Sequence, residues 1–221
     1  MTKKVSPKTS RGVRRGERLT NCSRDRCGRR YNAFTLIELL VVVSIIAVLS
    51  ALVLSTVGYA RKKGARARAE TEIAAMSAAS ENYKADNGVY PSNVDTNGLD
   101  ARTMGNPTGT TDPTYNSSSV YLYVQLSGDI NKNRNPTGKS YMSFKPNMLL
   151  PPGGGVPVIA IADPFGYSYG YSTAANPQAN PTPSGTPGYN PTFDLWSTSG
   201  LTSNPPGTGT DTITPQWIKN W

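Results

Sequence analysis

The sequence predicts an α+β protein in which one long N-terminal α-helix packs on a small antiparallel β-sheet head. Three observations support this fold class. The stretch Leu39–Tyr59 has no charged residue, and its 21 residues are enough for a membrane-spanning helix, which needs about 20 apolar residues. An Ala-rich stretch then extends the helical pattern to residue 86. Beyond residue 90, Gly, Pro, Asn, Ser and Thr dominate and apolar runs are short, as in strands joined by turns.

Residues 1–33 are predicted to be a basic leader peptide on the cytoplasmic side of a membrane. Eleven of the 23 Lys and Arg residues lie there, but only two of the 14 acids, so this segment carries the whole net charge of +9. Residues 34–221 are therefore neutral, which argues against a nucleic-acid role for the folded part. Both cysteines, Cys22 and Cys27, also lie in the leader, so no disulfide can form in the rest of the chain.

The long helix is predicted in two parts. Residues 34–59 form the transmembrane half, and residues 60–90 form an amphipathic half. Apolar residues recur in the second half at spacings of three and four and so share one face of a helix. They are Ala69, Ile73, Met76, Ala79 and Tyr83. The Asp86-Asn87-Gly88 triplet and Pro91 predict the helix end.

Residues 91–221 are predicted to be a β-rich head with long loops. Apolar residues alternate with tyrosines in Val120–Leu126, which is typical of a half-buried strand. The full set of predicted strands is Val120–Leu126, Ser140–Lys145, Val156–Ala162, Tyr167–Ser172 and Thr192–Ser197. Residues 100–118 and 173–191 are predicted to be long surface loops.

A single carboxylate, Glu38, interrupts the apolar run. A charge at the centre of a membrane helix costs about 2.5–3.5 kcal/mol on insertion scales, so such groups are usually paired and functional. No cation of the span can pair with Glu38. If the chain is cut before Phe34, the new α-amino group is largely cationic, because its reference pKa is near 8. It can pair with its own Glu38 or with that of a neighbouring subunit. The second pairing requires helices that pack side by side.

The segment Ala33–Val42, AFTLIELLVV, resembles the processing and methylation motif of type IV pilins and of the pseudopilins of type II secretion. The resemblance implies the pilin fold, with residues 34–59 also forming the core of a fibre, and cleavage by a prepilin peptidase between Ala33 and Phe34. It also implies N-methylation of Phe34 and a salt bridge from Glu38 to the N-terminus of a neighbouring subunit. Ala33 departs from the family, which usually has Gly at this position.

The C-terminal half resembles the major, G-type pseudopilins at Asn87–Pro91, Asp163–Tyr169, Phe193–Ser197 and Asp211–Trp217. Residues 92–162 match no feature of that family. The family resemblance implies calcium in the loop that follows Phe193–Ser197, and the candidate ligands are Asp194, Ser197 and Asp211. This loop holds one acid, whereas calcium takes six to eight oxygens. No other cofactor is expected.

The sequence argues against an enzyme. There is no histidine, so the Gly166–Gly170 match to G-x-S-x-G lacks the base that activates serine in a Ser-His-Asp triad. The resemblance implies instead a structural subunit of a pilus-like fibre, a type II secretion pseudopilin that helps drive protein export across the outer membrane. A type IV pilus subunit for adhesion, motility or DNA uptake is one alternative. A membrane-tethered periplasmic binding protein is another, and it would not need Glu38.

The predicted location is a single-pass anchor in the inner membrane with the head in the periplasm, followed by assembly into a fibre that could reach the cell surface. The predicted partners are further copies of the chain, other pilin-like subunits, the prepilin peptidase and methyltransferase, an inner-membrane assembly platform, and membrane lipid before assembly.

Overall fold

The computed structural model describes residues 34–202 and 215–221, except for the side chain of Ser55. The predictions on the leader, on Ala33 and on Asp211 lie outside the described residues. The chain divides into two compact units, Met1–Leu49 and Ser50–Trp221, and each is described by itself. One helix, α1 (Leu36–Asn87), has residues in both units.

The 52-residue helix α1 confirms the prediction of one long N-terminal helix. By length and composition it could cross a membrane. Its second half buries Ala69, Ile73, Met76 and Ala79, four of the five residues of the predicted apolar stripe, and the fifth, Tyr83, is half-buried against the same core. The helix ends where the sequence predicts, because Gly88 takes a left-handed φ of 77° and its N–H donates to the carbonyl of Lys84 at 2.7 Å.

The head is α+β, as predicted, and its sheets are antiparallel. Two further helices are α2 (Val94–Gly98) and α3 (Pro113–Ser127), and Pro146–Met148 forms a 3₁₀ turn. The strands are β1 (Leu149–Leu150), β2 (Ala160–Ile161), β3 (Gly170–Ser172), β4 (Asp194–Ser197) and β5 (Ile218–Lys219). Strands β1 and β2 pair with each other, and β4 lies between β3 and β5.

The prediction of a strand at Val120–Leu126 is wrong, because these residues lie in α3. The Asp112 carboxylate caps this helix by accepting from the N–H groups of Thr114 and Tyr115, Pro113 occupies its first turn, and Gly128 ends it with a φ of 74°. Spacings of three and four separate the buried residues, which are Tyr115, Ser118, Ser119, Leu122, Tyr123, Leu126 and Ser127. Three of the seven are serines, so a count of apolar residues alone misses the helical period.

The other predicted elements are partly confirmed. No strand forms in Ser140–Lys145, and α3 begins inside the predicted 100–118 loop, so those predictions are wrong. Residues 173–191 contain no helix or strand. Three predicted strands exist in shortened form, as β2, β3 and β4.

The core of the second unit has two parts. The first joins the α1 stripe to Leu122 and Leu126 of α3 and to strand residues such as Ile161 and Leu195. The second gathers Leu99, Ala101, Tyr115, Trp196 and Trp217, and the rings of the two tryptophans stack 5.8 Å apart.

A polar contact also joins α1 to the head. The hydroxyl of Tyr169 donates to Glu72 at 2.8 Å, and Arg68 binds the other oxygen of that carboxylate at 2.7 Å. The amphipathic half of α1 is therefore fixed to the sheet by both apolar and polar contacts.

Candidate functional site

The first turn of α1 is closed by the side chain of Thr35. Its hydroxyl oxygen accepts from the backbone N–H of Glu38 at 3.2 Å, and its carbonyl accepts from the N–H of Leu39 at 3.2 Å. Thr35 thus satisfies a backbone donor that has no partner within the helix. Sequence reasoning missed this residue, although Ser or Thr three positions before Glu is the signature of a helix N-terminus.

The Glu38 carboxylate lies exposed in that first turn. The positive end of the helix dipole favours a carboxylate at this place. Within residues 34–202 and 215–221, no Lys or Arg forms an ion pair with Glu38. A cationic α-amino group at Phe34 would stand beside the same positive helix end, so it too would be stabilised by a carboxylate, either its own Glu38 or that of another subunit.

Large apolar side chains surround this carboxylate on the N-terminal stretch of α1. Phe34 is 76% exposed, Leu36 is 83% exposed, and the exposed positions continue through Leu39, Leu40 and Val43. A helix that is apolar on all sides is stable only when lipid or other protein covers it. The segment therefore requires a bilayer or neighbouring helices around it.

Asp163 links two of the motifs in the C-terminal half. One of its oxygens accepts from the N–H groups of Phe165 and Tyr167, each at 2.9 Å, and the other accepts from the hydroxyl of Ser197 at 2.6 Å. Burial raises the pKa of this carboxyl, although these hydrogen bonds act in the opposite direction. The contacts fix a turn against β4, which is a structural role.

Asp194 also serves the fold. Its side chain is buried, and its two oxygens accept from the N–H groups of Tyr189 and Asn190, each at 2.8 Å. Burial raises the pKa of the Asp194 carboxyl. The carboxylate thus organises the chain that enters β4.

Comparison with known proteins identifies the family. The family model described as the prokaryotic N-terminal methylation motif matches residues 28–54. The type II secretion system core protein G of Aeromonas hydrophila is 31% identical over 121 residues, which cover 55% of this chain and 78% of that protein. The chain belongs to the type II secretion system core protein G family.

Two further core protein G relatives match over shorter stretches. The one from Pectobacterium carotovorum is 38% identical over 65 residues, or 29% of this chain and 42% of the relative. The one from Pseudomonas aeruginosa is 38% identical over 94 residues, or 42% of this chain and 64% of the relative. No solved structure matches. The relatives confirm that this chain is a pseudopilin, a structural subunit and not an enzyme.

The predicted calcium ligands of this core protein G are only partly described. Asp194 and Ser197 lie on β4, but both are already engaged, and Asp211 lies outside the described residues. In the described part of the chain, no three His, Cys, Asp or Glu side chains are grouped closely enough to hold a metal. These residues alone do not fit a calcium site, and calcium binding stays a prediction that depends on the Asp211 loop.

The processing site of this pseudopilin also stays a prediction. Phe34 lies exposed next to the cap residue Thr35, and Ala33 is outside the described residues. An exposed residue at this position is accessible to a peptidase, which is compatible with cleavage before Phe34.

Proposed function

We propose that this chain is a subunit of the type II secretion pseudopilus, and that assembly of this fibre helps drive protein export across the outer membrane. The observation that carries the proposal is Glu38, a lone carboxylate on the first turn of an exposed apolar helix. Membership of the core protein G family supports the same machine. Buried among lipids or other helices, this carboxylate needs a cation that its own span does not supply.

Processing supplies that cation. A prepilin peptidase cuts between Ala33 and Phe34, and the new α-amino group, N-methylated at Phe34, remains cationic. Glu38 of one subunit then pairs with the amino terminus of the next. Because an unpaired charge is costly in an apolar fibre core, the pair forms only when neighbouring helices are in register.

The proposed location follows from the charge distribution. The leader stays in the cytoplasm, α1 crosses the inner membrane once, and the head stands in the periplasm until the subunit enters the fibre. The proposed partners are further copies of this chain, other pilin-like subunits, the prepilin peptidase and methyltransferase, and the inner-membrane platform.

A substitution at Glu38 tests this function. Glu38→Gln should insert in the membrane but should yield no sheared fibre and no secreted protein in a host that lacks its own core protein G, because the amino terminus loses its counter-ion. Mass spectrometry of membrane-extracted protein checks that processing at Phe34 still occurs. Glu70→Gln is the matched control, since Glu70 is an exposed glutamate of the same helix that contacts Arg66 at 3.4 Å.

The same experiment separates the alternatives. Wild-type fibre formation and secretion by Glu38→Gln would contradict the proposal and indicate a helix that acts only as an anchor, as in a tethered binding protein. A chain that restores pili but not secretion would be a type IV pilus subunit.

A further inference from the structure

We propose that a groove in the second unit binds the phosphate headgroup of an anionic phospholipid while the subunit resides in the membrane. The groove has a volume of about 570 Å³ and is lined by α1 on one side and by the loops around residues 165 and 200 on the other. The proposal rests on the proposed membrane residence of the subunit. It does not depend on fibre assembly.

The groove-lining residues of α1 share one face of the helix just beyond the apolar run. Tyr59 lies two residues before the first cation after the uncharged run, and Lys62, Lys63 and Arg66 follow Tyr59 at spacings of three, four and seven residues. Residues so spaced lie on the same face of an α-helix, and all four line the groove. One helix face therefore passes from the end of an apolar run, through an interfacial tyrosine, to three cations within about two turns.

The three cations of the groove differ in the contacts that they make. Arg66 is held in place, because one guanidinium N–H donates to the carbonyl of Gln216 at 2.8 Å and another nitrogen lies 3.4 Å from Glu70. In the described ranges, Lys62 and Lys63 form no ion pair, although both are exposed. The two ammonium groups are thus available to an anion, and Arg66 fixes the wall beside them.

The apolar wall identifies the class of anion. The opposite side of the groove includes Phe165 and Leu201, which are half-buried, so the lining is mostly apolar with a cationic rim. Free phosphate gains nothing from such a wall, whereas a phospholipid places its phosphate on the rim and the first carbons of its chains against Phe165 and Leu201. The groove also lies next in sequence to the apolar run, where headgroups are present at high local concentration.

Membrane insertion does not explain why basic residues follow the apolar run. Basic residues that follow a span on its exported side oppose export, since cations favour the cytoplasmic side. Five of them lie between Arg61 and Arg68. Binding of lipid phosphate on the exported side gives three of them, Lys62, Lys63 and Arg66, a function that offsets this cost.

Native mass spectrometry of the full chain in neutral detergent tests the proposal. Phosphatidylglycerol, phosphatidylcholine and glycerol 3-phosphate are added in separate titrations. We expect phosphatidylglycerol to bind at least about tenfold more tightly than the other two. The Lys62→Gln/Lys63→Gln variant should lose roughly thirtyfold in affinity for phosphatidylglycerol, because each cation near an anionic headgroup contributes a factor of about five.

The Lys132→Gln/Lys145→Gln variant is the matched control. It removes the same charge from exposed lysines away from the groove, and it should bind phosphatidylglycerol as the wild type does. Equal binding of the two lipids, or equal loss in both double variants, would overturn the proposal. Glycerol 3-phosphate that binds as tightly as phosphatidylglycerol would indicate a soluble anion site instead, which also overturns it.

Cross-linking in cells tests the competing occupant, a neighbouring subunit. If Lys62→Gln/Lys63→Gln abolished cross-links between subunits while phosphatidylglycerol binding stayed unchanged, the groove would be a subunit contact and the lipid proposal would be wrong. Loss of lipid binding with normal cross-links supports the lipid. Neither result depends on Glu38, so this test can fail while the pseudopilus function stands.

Discussion

At the scale of single residues, Thr35 caps the first turn of α1, whereas the motif comparison assigns roles only to its neighbours Ala33, Phe34 and Glu38. Its hydroxyl accepts from the N–H of Glu38, so it holds the turn that presents the carboxylate. In lipid or in a fibre core there is no water to replace this bond, and an unpaired N–H there is costly. The cap and the carboxylate therefore act together.

Replacement of the cap residue should loosen that turn. Thr35→Ala removes the acceptor for the Glu38 N–H, at a cost of about 1 kcal/mol for a typical cap, so amide hydrogen exchange at residues 38 and 39 should become roughly fivefold faster. Thr35→Ser, which keeps the hydroxyl, should exchange like the wild type. Equal protection in all three proteins, measured in detergent micelles, would show that Thr35 is not a cap.

Asp163 couples the fold to pH. Burial raises the pKa of its carboxyl above the ordinary value of 3.8, against the hydrogen bonds from Ser197, Tyr167, Phe165 and Gly166. In the folded protein the carboxyl therefore holds its proton to a higher pH than in the unfolded chain. Its contribution to stability is fully present below pH 3.8 and is lost as pH rises through the folded-state pKa.

Asp163→Asn should remove this pH dependence, because asparagine keeps the acceptor for the backbone N–H groups and never ionises. Relative to the wild type, the melting temperature of the variant should rise as pH increases from about 4 to about 7, by a few degrees. Thermal melts of the full chain in detergent at several pH values provide the measurement. A difference that stays constant with pH would contradict this sign.

Asp112 provides a control of opposite sign. Partial burial pushes the pKa of this helix-cap carboxyl upward, but hydrogen bonds from Thr108, Tyr115 and Thr114 lower it below 3.8 overall. Its contribution is present above pH 3.8 and is lost as pH falls. Asp112→Asn should therefore lose stability relative to the wild type as pH increases, so the two variants diverge in opposite directions.

At the scale of elements, Gly128 shows why α3 must end where it does. Its φ is 74°, and a Cβ added there would lie 2.7 Å from the carbonyl oxygens of both Gly138 and Lys139. These are backbone atoms, so no side chain can move aside. The loop also depends on this contact, because the N–H of Gly138 donates to the carbonyl of Gly128 at 2.9 Å.

Gly128→Ala should therefore lower the free energy of unfolding by about 2–3 kcal/mol, through both left-handed strain and the clash. Gly109→Ala is the matched control, since a Cβ at Gly109 meets nothing within 4 Å and its φ is not left-handed. Denaturant unfolding followed by tryptophan fluorescence reports on the core around Trp196. Equal stability of the two variants would show that the α3 end is free to shift.

The same helix marks the limit of prediction from this sequence. The long helix was predictable because its apolar stripe persists over many turns, and β4 was predictable because Thr192–Ser197 is a short apolar stretch between Pro- and Gly-containing turns. In α3 the alternation of apolar residues with tyrosines competed with the helical period, and the Asp112, Pro113 and Gly128 signals were the better guide. Strand β5, with two residues, exists only through its pairing with β4.

The functional residues also divide into those that the sequence predicts and those that only the structure shows. Glu38 could be singled out because a charge in an apolar run is conspicuous at the level of composition. The groove beside Lys62 and Lys63 could not be predicted, because Phe165 and Leu201 line it from loops more than 90 residues beyond Lys63 in the chain. Contacts between distant segments leave no local pattern in a sequence.

At the scale of the whole molecule, basic residues lie on both sides of one apolar run, and the two groups favour opposite orientations of the chain in the membrane. The leader carries a net charge of +9, whereas residues 34–221 are neutral overall but place five cations between Arg61 and Arg68, just past the run. Topology depends on cations within about 15–20 residues of each end of a span. The four leader arginines nearest the span, Arg24, Arg26, Arg29 and Arg30, therefore matter more than the remoter ones.

A reporter enzyme that is active only in the periplasm, fused after Trp221, should measure the fraction of chains whose head lies in the periplasm. The wild-type fusion should be active. Replacement of Arg24, Arg26, Arg29 and Arg30 by Gln should lower the activity several-fold, because it removes the cations close before the span while the five just after it remain. Adding Lys62→Gln and Lys63→Gln to that variant should restore part of the activity, because it lowers the number of cations just after the span from five to three. An inactive wild-type fusion would place the head in the cytoplasm, and a fusion unaffected by any of these changes would show that the apolar run alone sets the orientation.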